Sequence, residues 1–216
     1  QLGLFDGAQR DGLFGIWYGK APGVDRTGDV FKHANAAGTS ALGGVLAVLG
    51  DDHMCKSSTL PSQSEFAMQD AEIPVLSPAS IQDVLDYGLH GWAMSRFSGG
   101  WSAMIALADT MDSGAVVDVS LDRMNFVRPD FEFPEDGVHM RRSDPPLEKE
   151  RRLRDYKLPA AQAWVRANSL DRVILPSAKP RVGLIVSGQA ARDVFEALAA
   201  LGLSPDEAAK LGVSIY

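Results

Sequence analysis

Residues 12–52, GLFGIWYGKAPGVDRTGDVFKHANAAGTSALGGVLAVLGDD, decide the fold class. The first apolar run, residues 12–18, closes at Gly19, and the second, residues 44–49, closes at Gly50-Asp51-Asp52. Short continuous apolar runs bounded by glycine read as strands buried on both faces. Between them, Thr27 offers an N-cap, Asp29 an early acid, and Val30, Phe31, Ala34 and Ala37 an apolar stripe, which together predict a short helix over 27–37. A strand, a Gly-rich loop, a helix and a second strand form a βαβ unit. Such units build parallel sheets with helices on their faces.

Working outward, the same alternation continues. The pattern predicts a short helix over 60–68, a strand over 73–76, and a helix over 80–96 with apolar Ile81, Val84, Leu85, Leu89 and Trp92. Gly99-Gly100 breaks that helix, after which 101–111 reads as another amphipathic helix and 115–119 as a strand. Residues 120–146 are turn-rich and acidic, and Asp144-Pro145-Pro146 opens a charged helix reaching about Asn168. From Arg181 a fresh unit begins: strand 182–186, a helix after Ser187-Gly188-Gln189 through Leu201, a short helix capped by Ser204, and strand 213–216. The expected organisation is one α/β domain over 1–119, a connector over 120–178 and the start of a second α/β domain over 179–216.

Composition removes several classes of function. The 216 residues carry 45% hydrophobic and 23% charged residues, ordinary globular values, and no window approaches the roughly 20 apolar residues of a membrane span. A formal net charge of -7 speaks against a nucleic-acid partner, which needs clustered Lys and Arg. The one dense basic run, Arg151-Arg152-Leu153-Arg154, is flanked by Glu148 and Glu150 and reads as a solvated helix face. The single cysteine, Cys55, excludes an internal disulfide and a self-contained iron–sulfur cluster, and fits a reducing, cytoplasmic compartment. The chain opens at Gln1 with no initiator Met or leader composition, so we expect a piece of a longer protein.

Ligands of open α/β sheets bind beyond the carboxyl ends of the strands, where two polar loops fall. The first, Gly19 to Asp29, leads toward a helix N-terminus suited to an anion or a polar ring, but it has neither Walker nor GxGxxG spacing and by itself reads first as a plain tight turn. The second is GDDHMCKSST, residues 50–59. Asp51, Asp52 and His53 are adjacent, so on an extended backbone their side chains diverge and do not predict a metal cage. Asp51 is expected instead to finish the strand and accept bonds from nearby loop amides. Cys55 and His53 could face one side as nucleophile and base, or be a small buried thiol and a solvent-facing imidazole. Ser57, Ser58 and Thr59 before Pro61 read as a helix N-cap region, with Glu65 as a possible back-reaching partner. Four histidines, at 33, 53, 90 and 139, show no close metal-ligand spacing. Trp92, Phe97 and Trp101 read as core.

Three segments, FGIWYGKAPGVDRTGDVFKHANAAGTS, GGVLAVLGDDHMCKSSTLPSQSEFA and PVLSPASIQDVLDYGLHGWAMSRFSGGW, closely resemble the fused bacterial form of indolepyruvate ferredoxin oxidoreductase, a thiamine-diphosphate-dependent 2-oxoacid:ferredoxin oxidoreductase. The likeness extends through PPLEKERRLRDYKLPAAQAWVRAN and KPRVGLIVSGQAARDV. The resemblance implies that residues 1–119 are most of a pyrimidine-binding domain, starting after its first strand and helix, and that a transketolase-C-terminal-like domain opens near residue 179. It implies that the activating glutamate precedes Gln1, and that the GDG-type diphosphate motif with its Mg ligands and the iron–sulfur cysteines lie outside the chain. No catalytic residue is then expected within it, and no cofactor bound to it. His53, Lys56, Ser57, Ser58 and Thr59 would form the loop beside an aryl 2-oxoacid, and Lys20, Pro22, Gly23 and Asp25 would lie near the cofactor pyrimidine. Ala21 and Met54 depart from the family's pattern, and Lys56 stands alone where related pyruvate enzymes place a carboxylate-binding arginine. The implied partners are the oxoacid, coenzyme A and ferredoxin, in a homo-oligomer when full length. A non-catalytic binding or assembly module on the same fold is the alternative, which the parental reading frame would decide.

Overall fold

The computed structural model describes residues 6–55 and 60–216. The chain is α/β, with a parallel sheet flanked by helices. In order it contains β1 (Phe14–Lys20), α1 (Ala21–Arg26), α2 (Gly28–Ala37), β2 (Gly44–Asp51), α3 (Glu65–Asp70), β3 (Val75–Leu76), α4 (Ile81–Ser98), β4 (Ser102–Leu107) and α5 (Ala108–Met111). The four strands pair in parallel in the order β1-β2-β4-β3. Leu46 and Met104 point to one face and Ala47, Leu49, Ala103 and Ile105 to the other, so both faces are core. One layer is Val24, Phe31, Met68 and Ile73; the opposite layer is Met94, Phe97, Ala160, Ala161 and Trp164.

Two expectations need correction. Residues 102–107, expected within an amphipathic helix over 101–111, form the strand between β2 and β3. Ser102 to Ala106 are all buried, and a strand covered on both faces shows no alternation to distinguish it from a helix. Helix is limited to the single turn of α5. Residues 115–119, expected as a strand, are irregular and pair with no strand, and Val116 is fully exposed. The backbone of Asp118 pairs instead with a side chain of α4: Gln82 accepts from Asp118 N–H at 2.8 Å and donates to Asp118 C=O at 3.2 Å. Smaller shifts also occur. The first strand is displaced to 14–20, the loop after it contains α1, and the helix expected from residue 60 begins at Glu65 with Ser64 at its N-cap.

Glycine and one amide fix the layers. Ser102 Oγ donates to Gly91 C=O at 2.7 Å, and a Cβ on Gly91 would stand 2.7 Å from Leu46, so glycine is what lets α4 lie this close to the sheet. The fully buried Asn35 donates to Ala71 C=O at 3.0 Å and Glu72 C=O at 2.7 Å and accepts from Trp101 N–H at 3.0 Å. It ties α2 to the turn before β3 and to the entry of β4.

After a 3-10 turn at Leu121–Arg123, an irregular arm sets Phe131 and Phe133 on Phe97, at centroid distances of 6.5 and 5.3 Å. A helical arm follows as α6 (Pro146–Arg152), a π-helical turn (Leu153–Lys157) and α7 (Leu158–Ala167). Pro159 has no N–H to donate to the Asp155 carbonyl, which accounts for the widened turn just before it. The basic run here is not uniformly solvated. Arg151 and Arg154 are exposed, but Arg152 is buried against Asp136 at 2.6 Å, Asp144 at 3.2 Å and Glu148 at 2.8 Å. The C-terminal unit contains β5 (Val182–Leu184), α8 (Gln189–Ala200), α9 (Pro205–Leu211) and β6 (Val213–Ile215), with β5 and β6 parallel around Leu175, Leu198, Ala208 and Ile215. Ser204 and Glu207 close a reciprocal capping box on α9.

Candidate functional site

The carboxyl end of β1 opens onto a cleft of about 1030 Å³. Lys20, Ala21, Pro22, Val24 and Asp25 form one wall, and Leu60 to Ser64, Phe66 and Asp70 form the other. Local chemistry explains the first wall: Pro22 occupies the first turn of α1, where its missing N–H is of no consequence, and Thr27 Oγ1 donates to Gly23 C=O at 2.6 Å to close the turn into α2. Gly23 does not line the cleft, and a Cβ there would meet nothing within 4 Å.

The second wall is held from below by Asp51. This carboxylate, at the end of β2 and 1% exposed, accepts from Ser64 N–H at 2.8 Å and Ser64 Oγ at 2.6 Å. The expected bond from Asp51 to a loop amide is therefore present, and the amide belongs to the N-cap of α3. Asp52 is also buried, and its carbonyl accepts from Cys55 N–H at 3.3 Å. Cys55 is half-buried with φ of 57°, an uncommon conformation for a side-chain-bearing residue, and His53 is exposed. Lys56, Ser57, Ser58 and Thr59 lie outside the described residues. Of the predicted site residues, the cleft thus brings together Lys20, Pro22 and Asp25, and does not include His53 or Gly23.

Among the described residues, no three His, Cys, Asp or Glu side chains converge to hold a metal ion. The remaining histidines are placed elsewhere. His33 sits 3.6 Å from Asp29 on the surface. His90 packs edge-on to Phe126 and Trp164, and burial lowers its pKa against a smaller opposing effect of Asp86. His139 Nε2 bonds Arg96 C=O at 2.9 Å, and burial lowers its pKa also. Ser64 was not anticipated: it stands at the N-cap of α3 without a side-chain cap bond, its hydroxyl being turned to Asp51, which no local pattern marks.

The arrangement is that of an open parallel α/β domain with a cleft of mixed polar and apolar lining at a strand end, the position at which such sheets bind ligands. No family model matches the chain, and no curated protein matches it. No helix among the described residues is long and apolar enough to cross a membrane.

Proposed function

We propose that this chain is the pyrimidine-side portion of a thiamine-diphosphate-dependent 2-oxoacid:ferredoxin oxidoreductase that converts an aryl 2-oxoacid to an acyl-coenzyme A. The observation that supports the reading is the cleft at the end of β1, where Lys20, Pro22 and Asp25, three of the residues that the resemblance sets near the pyrimidine, form one wall and the segment after Thr59 forms the other. The cleft volume accommodates a substituted pyrimidine, and the Asp25 carboxylate is an acceptor for an exocyclic amine. When bound, the cofactor would supply the carbanion that adds to the 2-oxo carbon. The protein's own residues would orient the ring from the α1 turn, and the resemblance assigns the oxoacid to residues 56–59, whereas His53 stands outside this cleft. Neither the metal nor the iron–sulfur clusters fit residues described here, since one cysteine and no three-ligand cluster are present, so both belong to other parts of the parent protein in this reading. A homo-oligomer in the cytoplasm follows from the same resemblance.

The test is anaerobic reduction of ferredoxin by the product of the complete reading frame, supplied with thiamine diphosphate, Mg, coenzyme A and an arylpyruvate. Turnover is expected, and lost without the cofactor. A parental frame lacking an upstream glutamate and cysteine clusters, with no reduction, replaces this reading by a non-catalytic module. The isolated chain is expected to bind thiamine diphosphate weakly or not at all by calorimetry. Low-micromolar stoichiometric binding would show that the diphosphate anchors lie within it.

A further inference from the structure

Lys157, the last residue of the π-helical turn before Pro159, points inward. Its side chain is 3% exposed, and Nζ donates to Ala36 C=O at 3.1 Å, one of the carbonyls that the end of α2 leaves without an intrahelical partner. The C-terminus of α4 arrives at the same point. Gly38 (φ 85°) and Gly99 (φ 76°) terminate the two helices in backbone conformations open to glycine, and Thr39 N–H donates to Gly99 C=O at 2.9 Å. A Cβ on Gly38 would stand 2.5 Å from Nζ and would also collide with Gly99 C=O, so the bare glycine leaves room for the amine.

We propose that Lys157 is a proton-sensitive latch that sets how firmly the helical arm, residues 146–167, holds to the ends of α2 and α4. Two helix C-termini favour a cation. Burial opposes it more strongly and brings the Lys157 pKa down to about 8. Asp144, at the entry to α6, favours the charge, whereas Arg152, Arg141 and Lys149 around it disfavour it. His139, on the segment between the arms, has its own pKa lowered by burial and by the charges of Lys157 and Arg96.

The sign of the effect follows from linkage. An opened arm returns Lys157 to water and its ordinary value of 10.5, so the open state binds the proton more tightly than the closed one. Opening is most favourable below about pH 8, and its equilibrium constant falls about tenfold per pH unit between about pH 8 and 10.5.

Amide hydrogen exchange over residues 149–161, corrected for intrinsic rates, reads this directly in the 216-residue chain. Between about pH 7 and 9.5 the opening constant should fall about thirtyfold in the native protein and show no such fall in Lys157→Met. Lys157→Arg, charged throughout, should exchange faster than native with the same flat response, and serves if the Met variant does not fold. A carbon-13 titration of the native protein's lysine side chains should show one titrating near pH 8, absent in the variant. An ordinary lysine value for Lys157, or equal pH dependence in native and variant proteins, overturns the latch.

Discussion

The four-stranded sheet and the arm that crosses it, residues 120–167, are held by different forces. In the sheet, apolar side chains fill both faces and the polar groups are satisfied singly: Asn35 bonds backbone at three points, and Asp51 bonds one serine twice. In the arm, charge carries the local structure. Arg152 and Arg141 share Asp136 and Asp144 and fasten the 136–144 loop to α6. The arm's apolar contribution is concentrated where it meets the sheet domain, at Trp164, Phe131 and Phe133. The sheet should therefore respond mainly to loss of shape and hydrogen bonds, and the arm mainly to charge and pH.

The largest effect is expected at Asn35. Asn35→Leu keeps the volume and leaves Ala71 C=O, Glu72 C=O and Trp101 N–H without their partner. Because the site is buried, this should cost about 3 kcal/mol in urea unfolding with an unchanged m-value. Asn35→Asp should be worse near neutral pH, since a carboxylate would face two carbonyl oxygens. A loss below about 1 kcal/mol for both would show that the amide does not set the layer spacing.

In the arm, Arg152→Ala is expected to cost about 2–3 kcal/mol. A buried cation with several carboxylate partners is costly to remove, but the exposure of Asp136 tempers the loss. The signature separates it from Asn35: exchange should rise over residues 134–152 and remain near native in β2 and β4. Uniform acceleration across the sheet would abolish the distinction between the two regions.

Asp51→Asn tests whether the cleft wall belongs with the sheet. The substitution keeps the shape and can retain one bond to Ser64, so about 1 kcal/mol is expected, with disorder confined to residues 52–64. If the proposed activity holds, kcat/KM of the parent protein for an arylpyruvate should fall by more than the melting shift accounts for. If the two losses match, Asp51 is only a structural prop.

The sequence was legible where local signals and tertiary environment agreed. Residues 44–49 read as a strand because an apolar run ends in turn residues, the strand expected over 182–186 is present over Val182–Leu184, and α9 was announced by Ser204 at its N-cap. It was misread where burial erased periodicity, as in Ser102–Leu107, and where propensity had no partner to pair with, as in Val116 and Val117. Asp51 could be assigned because a polar residue closing a buried strand must find a loop donor. Lys157 and Arg152 could not, because in a run of alternating charges nothing local marks which residue a distant Gly38 or Asp136 will enclose.

The smallest effect, and the one that most sharpens the contrast, is the acid response of the arm. Hydrogen bonds from Arg152, with Arg141 adding to them, hold the Asp136 pKa down to about 2, below its ordinary 3.8. The folded state therefore binds this proton less tightly than the unfolded state. Its stabilisation is present above about pH 4 and is lost as pH falls from there toward about 2. Asp136 lies largely in solvent, so salt should weaken the effect. Exchange over residues 134–152 is expected to accelerate between about pH 4 and 2.5, relative to intrinsic rates, before the central strands respond. In Asp136→Asn the acceleration should be absent or shifted to the remaining carboxylates, Asp144 and Glu148. If β2 and β4 loosen at the same pH as the loop, the arm and the sheet unfold as one unit, and charge is not what distinguishes them.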